Sequence, residues 1–273
     1  MTRKLTIIKL GGSLLTDKSI PYTANDEVIT SVAKELKECI DLGLIEDLII
    51  VHGVGSFGHV PVLKHKLHLG FQSPNQLIAM SQTQHEMNEY RLRLTKKMIE
   101  NGIPVNLLHP SSFCTSVKMK ITVSFLDAVK GYFSIGMVPL MGGDMIFDSK
   151  MGFSVGGGDQ LMVLLAKQLS ADNVLFVSDV DGVYSADPKQ NENAEFFPKI
   201  HLDILHEIIE KTESSPLKDV SGAMKGKLQA ILSLKEQISN GTKVCLLSMK
   251  TTGNLKSVMK NSRENIRFTE FVL

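Results

Sequence analysis

The sequence predicts an α/β fold, a three-layer αβα sandwich with a mainly parallel central sheet. Three observations lead there. Six short runs rich in Val, Ile and Leu recur along the 273 residues, longer helical patterns separate them, and several of the runs close at Gly or Asp. Alternation of this kind is how a parallel sheet covered on both faces is written. Ligands of such sheets sit at the carboxyl ends of the strands, where these glycines and aspartates fall.

The first strand is Leu5–Leu10, and Gly11-Gly12-Ser13 follows it directly. From about Asp26, residues Val28, Ile29, Val32, Leu36 and Ile40 mark one face of a helix. Leu48–Val51 is a second strand, running into the loop VHGVGSFGHV that ends at Val60. Helical spacing resumes over Asn75–Asn101. Strands at Val105–Leu108 and Val138–Met141 come next, the latter entering Gly142-Gly143-Asp144. A helix over Gln160–Leu169 leads to the strand Val174–Ser178 and the loop Asp179-Val180-Asp181-Gly182. One helix over Met224–Asn240 and a strand at Lys243–Leu247 follow. Glu192–Lys199 reads as a polar connection, and no linker or internal repeat divides the chain.

A hydrophobic share of 43% supports a large core. Thirty Lys and Arg against 29 Asp and Glu leave a net charge of +1, so no field of one sign invites nucleic acid or an anionic membrane. Cys39, Cys114 and Cys245 are odd in number and match no metal or redox spacing, which predicts reduced thiols, no structural disulfide and a cytoplasmic protein. The opening apolar run is too short for a signal-peptide core, and none approaches the ~18 residues of a membrane span.

The chemistry gathers in the loops. Gly53, Gly55 and Gly58 follow a strand, and glycine opens backbone N–H groups to an anion by removing the Cβ that would block approach. The same residues match a dinucleotide fingerprint, but no Asp or Glu lies between His59 and His85 to hold a ribose, which argues against it. Lys9, inside an apolar strand end, either meets an anion or snorkels to solvent. Four glycine- or aspartate-marked loops on one sheet edge favour a phosphate site. A Walker A motif is absent, since Gly222 to Leu228 has the wrong spacing and no hydroxyl after its lysine. Asp219-Val220-Ser221-Gly222 instead reads as the cap of a helix with Lys225 and Lys227 in its first turns, a place that favours phosphate.

Taken in order, KLGGS, HGVGSFGH, GGD, SDVDGVYSADP and DVSGAMKGK resemble the amino acid kinase superfamily, and the SFGH ending resembles its isopentenyl phosphate kinase branch. The segment from Gly70 to Val105 and LHPSSF also look like that branch. The resemblance runs nearly end to end. It implies an N-terminal half, about 1–170, for the phosphate acceptor, a C-terminal half, about 171–273, for ATP, a homodimer, and use of Mg²⁺.

Carried over by motif, the resemblance implies that Lys9, Leu10, Gly11, Gly12 and Ser13 hold the ATP phosphates and that Lys18 stabilises the transferring group. Gly55 would contact ATP, while Val54, Gly55, His59 and Gly158 would meet the acceptor. Asp159 would align the lysines, Asp179 would flank the nucleotide, and Ala223 and Lys227 would contact its phosphates. Two positions depart from the family pattern. Val54 replaces a glycine, acceptable if its φ is negative, and Gln160 stands where a second acid is usual, leaving the metal ligands unknown.

An isoprenoid acceptor also needs a dry pocket. Residues Ile78–Met87, with Phe71 and Ile146, are candidate walls, although an apolar stripe at helical spacing is ordinarily core. His65, His68, His85, His109 and His201 read as surface or packing residues. The function expected is phosphorylation of isopentenyl phosphate by ATP. The alternatives are another small phosphate or phosphonate such as fosfomycin, a nicotinamide oxidoreductase, or a nucleotide-binding regulator without turnover.

Overall fold

The computed structural model describes residues 3–17, 20–186, 188, 191–211, 223–264 and 266–273. The N-terminal elements are β1 (Leu5–Leu10), α1 (Gly12–Leu15), α2 (Asp26–Asp41), β2 (Asp47–His52), α3 (Gly55–Lys64), α4 (Asn75–Glu100) and β3 (Val105–Leu107). The middle of the chain forms β4 (Cys114–Val117), β5 (Lys120–Ser124), α5 (Asp127–Ser134), β6 (Val138–Gly142), β7 (Asp144–Asp148), β8 (Gly152–Gly156) and α6 (Gly158–Leu169). The remainder forms β9 (Asn173–Ser178), β10 (Val183–Tyr184), β11 (Phe196–Phe197), β12 (Lys199–His201), α7 (Leu205–Lys211), α8 (Ala223–Leu232), α9 (Lys235–Ser239), β13 (Lys243–Ser248), α10 (Asn254–Met259) and β14 (Phe268–Val272).

Eight strands make the central sheet in the order β12-β14-β13-β9-β1-β2-β6-β3. Every neighbouring pair runs parallel except β13 with β14. Side chains alternate across a strand, and β1 displays the consequence. Ile7 packs into a core beneath α6, α7 and α8, whereas Ile8 and Leu10 pack into a second core against α2, α4 and α10. Three layers result, as expected. Lys9 shares the parity of Ile7, so its ammonium is delivered to the α6 side of the sheet.

The six expected strands all form, within two residues of the ends predicted. The smaller elements are additions: a four-stranded sheet β5-β4-β7-β8, the pair β10-β11, and, beyond β13 in the central sheet, β14 and the edge strand β12. Asp148 is the hub of the four-stranded sheet. Its carboxylate accepts backbone N–H bonds from Lys118, Met119, Lys150 and Met151 at 2.8 to 3.1 Å, and the Ser116 hydroxyl donates to it at 3.1 Å. The single helix expected over Met224–Asn240 is interrupted at Ser233. There the single hydroxyl proton is shared between the carbonyls of Ala230, at 2.7 Å, and Gln229, at 3.2 Å, competing with the helical ladder. The cap expected at Asp219–Gly222 lies outside the described residues.

Candidate active site

Two glycine loops meet at the carboxyl ends of β1 and β2. A Cβ on Gly12 would lie 2.4 Å from the Gly55 nitrogen, and one on Gly53 would lie 2.4 Å from the Gly12 nitrogen. The backbones therefore touch, and no other residue fits at either place. Gly55 has φ +51 and faces Thr16, whose hydroxyl donates to the Gly12 carbonyl at 2.8 Å and accepts the Ser56 N–H at 3.1 Å. Thr16 thus ties the two loops together. Val54 has φ −81 and ψ −20, an unstrained helical conformation, so a β-branched residue is tolerated in this loop.

Lys9 is nearly buried, and its Nζ meets Asp159 Oδ1 at 2.5 Å. Asp159 stands in the first turn of α6, where the helix macrodipole favours a carboxylate. Of the two readings open for Lys9, the snorkelling one is set aside. Its ammonium is held inward, at a cavity of about 860 Å³.

That cavity gathers most of the expected residues. Lys9, Gly11, Gly12, Ser13 and Lys227 border it, as do Val54, Gly55 and His59 of the second glycine loop and Gly158, Asp159 and Gln160 at the start of α6. Leu10 and Asp179 do not border it. Leu10 is buried in the sheet and contributes its carbonyl, which accepts the Gly53 N–H at 2.8 Å. Asp179 follows β9, whose Val177 carbonyl accepts the Gly11 N–H at 2.8 Å, so it flanks the same edge. Ala223 opens α8, and Lys18 lies outside the described residues.

The expected apolar wall needs correction. Met87 borders the cavity, but Ile78 is 68% exposed on the outer side of α4, and Phe71 is exposed and packs on Phe153. Ile146 is fully buried in the core. Its neighbour Met145, on the opposite face of β7, borders the cavity instead. Val62, Met87, Met145 and Val155 are among the cavity's apolar lining, near the polar Thr83 and Gln84, while Met119, Ile121, Val163, Leu164 and Ala230 border the same cavity. Thr83 satisfies its own hydroxyl on the Ala79 carbonyl.

Two groups behind the cavity escaped the sequence reading. Arg91, fully buried on α4, pairs with Asp144 at 3.3 Å. It also engages His109, read from sequence as a surface or packing residue, through Nη1 and Nδ1 at 3.1 Å. The signal was available: Arg91 falls on the buried stripe of α4 with Met87, Leu94 and Met98. His52 ends β2 with its ring enclosed against Tyr90. Burial, and secondarily the Arg91 charge, lower its pKa to about 3, so it is neutral. Among the described residues no group of three or more His, Cys, Asp or Glu is placed to hold a metal ion. No helix there is long and apolar enough to cross a membrane, and all three cysteines are free and buried.

The profile of the amino acid kinase family matches residues 4–248. The chain belongs to the amino acid kinase family. Within this kinase family it is 31% identical to an isopentenyl phosphate kinase of Thermoplasma acidophilum, over 87% of this chain and 89% of that one. It is 32% identical to an isopentenyl phosphate kinase of Methanocaldococcus jannaschii, over 88% and 92% of the two chains. A crystal structure of an isopentenyl phosphate kinase superposes with a TM-score of 0.80 at 26% identity, covering 97% of this chain and 99% of that one. The kinase family accounts for a glycine-lined cavity at the strand ends without a Walker A loop, and it displaces the oxidoreductase reading of Gly53–Gly58.

Proposed function

We infer that this chain transfers the terminal phosphoryl group of ATP to isopentenyl phosphate, giving isopentenyl diphosphate and ADP. The observation that carries this reading is one cavity in which a lysine- and glycine-lined end adjoins His59 and a wall of Val62, Met87, Met145 and Val155. An acceptor with a phosphate head and a short apolar tail matches both surfaces. Relatives bearing this activity along nearly their whole length support it.

The chemistry follows from charge. The second pKa of a phosphate monoester is near 6, so at neutral pH the acceptor oxygen is already anionic and needs no general base. The difficulty is bringing two polyanions into line. An acceptor oxygen bonds to the γ-phosphorus while the bond to the β,γ-bridging oxygen breaks, and ADP leaves with that electron pair. Lys9 and Lys227 neutralise the charge that develops, with Lys18 as a further cation, and Asp159 keeps the Lys9 ammonium oriented. His59 donates a hydrogen bond to the acceptor phosphate, and the Val54 and Gly55 N–H groups, with Gly158, complete its cradle. Gly11, Gly12, Ser13 and Ala223 meet the nucleotide phosphates, and Asp179 flanks the nucleotide.

Mg²⁺ fits as an ion carried in on ATP. Asp159 is engaged by Lys9 and Asp144 by Arg91, and position 160 is an amide, so phosphate oxygens and water would supply most of its ligands. Its contribution is to screen the transferring phosphates. The acceptor belongs to the half before about residue 170 and ATP mainly to the half from 171, in a cytoplasmic homodimer whose mass light scattering would check.

The test is ADP release with MgATP and a panel of isopentenyl phosphate, dimethylallyl phosphate, fosfomycin, carbamate and N-acetylglutamate. Selective turnover of the prenyl phosphates is expected. Turnover of fosfomycin alone would move the chain to another branch of the family.

A further inference from the structure

An arginine on the buried stripe of a helix is expensive. Replacing a buried ion pair by apolar side chains is often neutral or stabilising, so Arg91–Asp144 is poorly explained by stability alone. Its bonds converge on one place. Nη2 donates to the Gly143 carbonyl at 2.8 Å and pairs with Asp144 Oδ1 at 3.3 Å, while Nη1 donates to Asn88 Oδ1 and meets His109 Nδ1, each at 3.1 Å. Asp144 is held from the other side by the N–H groups of Ser111 and Met145, at 2.9 and 3.0 Å.

Gly143 is the pivot. A Cβ there would lie 2.7 Å from Val54 Cγ1 and 3.6 Å from the Gly158 nitrogen, so this peptide is wedged between the acceptor loop and the start of α6. Gly158 in turn lies against the Lys9 stem, where its own Cβ would meet Cε at 3.2 Å. Moving Gly143 would therefore move Val54 and His59 relative to Lys9 and Asp159. The guanidinium itself does not border the cavity, whereas Gly143 and Asp144 do.

We propose that Arg91 is a positioning residue for phosphoryl transfer: by clamping Gly143 and Asp144 it holds the acceptor loop and the Lys9–Asp159 pair at the separation that in-line attack requires. The proposal rests on the kinase reading above. A lysine at position 91 keeps the charge but cannot hold the Gly143 carbonyl, Asp144 and Asn88 together, because it lacks the planar fork.

The experiment compares Arg91→Lys, Asn88→Ala and the double variant Arg91→Met/Asp144→Asn with wild type, each first checked for folding by thermal melting. In every folded variant kcat with isopentenyl phosphate falls while KM for ATP stays within twofold. The loss is about 10- to 100-fold for the two Arg91 variants, as a misplacement near 1 Å produces, and about threefold for Asn88→Ala. Asn88 is only half-buried, so its variant keeps a folded protein for the comparison should the others not fold. Wild-type kcat in any folded Arg91 variant, or in Asn88→Ala if it alone folds, overturns the proposal. A parallel rise in KM for ATP overturns it too, since general loosening would weaken both substrates. Absence of turnover in the wild type defeats the kinase reading itself, before any variant is compared.

Discussion

His59 and Lys9 both border the cavity, and each carries a separate part of the proposed reaction. Removing a single preorganised donor to a reacting anion costs roughly 10²–10³ in kcat. His59→Ala is accordingly expected to lose acceptor phosphorylation by about that factor while calorimetry still detects ATP binding. Full turnover in that variant would remove His59 from the acceptor site. Gly55 makes a different demand, because its φ of +51 and the nearby Thr16 hydroxyl, 2.1 Å from any added Cβ, exclude a side chain. Gly55→Ala should lose at least ~1–3 kcal/mol from the left-handed backbone alone, read as a lower denaturation midpoint. Much of this was legible: Lys9 stood out as a cation in an apolar strand, and the glycine loops as close approaches. That these glycines serve packing between loops as well as an anion was not legible, since their partners lie about 40 residues apart. Arg91 was hidden among the charges of a long amphipathic helix, although its place on the buried stripe marked it.

At the scale of elements, the proposed acceptor wall depends on register. Met145 faces the cavity and Ile146 the core because neighbouring strand residues point oppositely, and Ile78 faces outward because it sits one residue off the stripe of Ala79, Thr83 and Met87. Composition could not settle either choice, since both candidates in each pair are apolar. Met87→Gln, close in volume but polar, should lower kcat/KM for isopentenyl phosphate by roughly tenfold, in line with ~1.5 kcal/mol of lost apolar burial, and leave KM for ATP unchanged. The hairpin β7–β8 was missed because Asp at both ends of β7 and Gly at both ends of β8 leave only brief apolar runs, and because its organiser is a side chain. Burial would raise the Asp148 pKa, but four backbone N–H donors outweigh it and hold the carboxyl well below its ordinary range. The folded value is the lower one, so this stabilisation is complete above the ordinary Asp pKa near 4 and is lost as pH falls below it. Asp148→Ala would strand those donors and should cost about 3 kcal/mol in chemical denaturation. An unchanged midpoint would show that the sheet holds without its hub.

For the whole molecule, the αβα architecture followed from six strands and the helices between them, and β14 and β12, added beyond β13, complete a sheet that those six already order. What local pattern could not supply were the long-range pairs, such as Lys9 with Asp159, 150 residues apart. His52 connects this scale to pH. Its folded pKa, about 3, lies below the ordinary value near 6.5, so the unfolded chain takes up the proton first and stability falls as pH drops from about 6.5 towards 3. An imidazole resonance of His52 that stays in its neutral form from pH 8 to 5 is expected; a midpoint near 6.5 would contradict its enclosure. The central claim is the identity of the reaction, and a ³¹P spectrum of the protein with MgATP and isopentenyl phosphate tests it most directly. The account predicts loss of the monoester signal and the appearance of the paired doublets of a prenyl diphosphate, in step with ADP. A monoester signal that persists while ATP is hydrolysed, or while nothing changes, would contradict it.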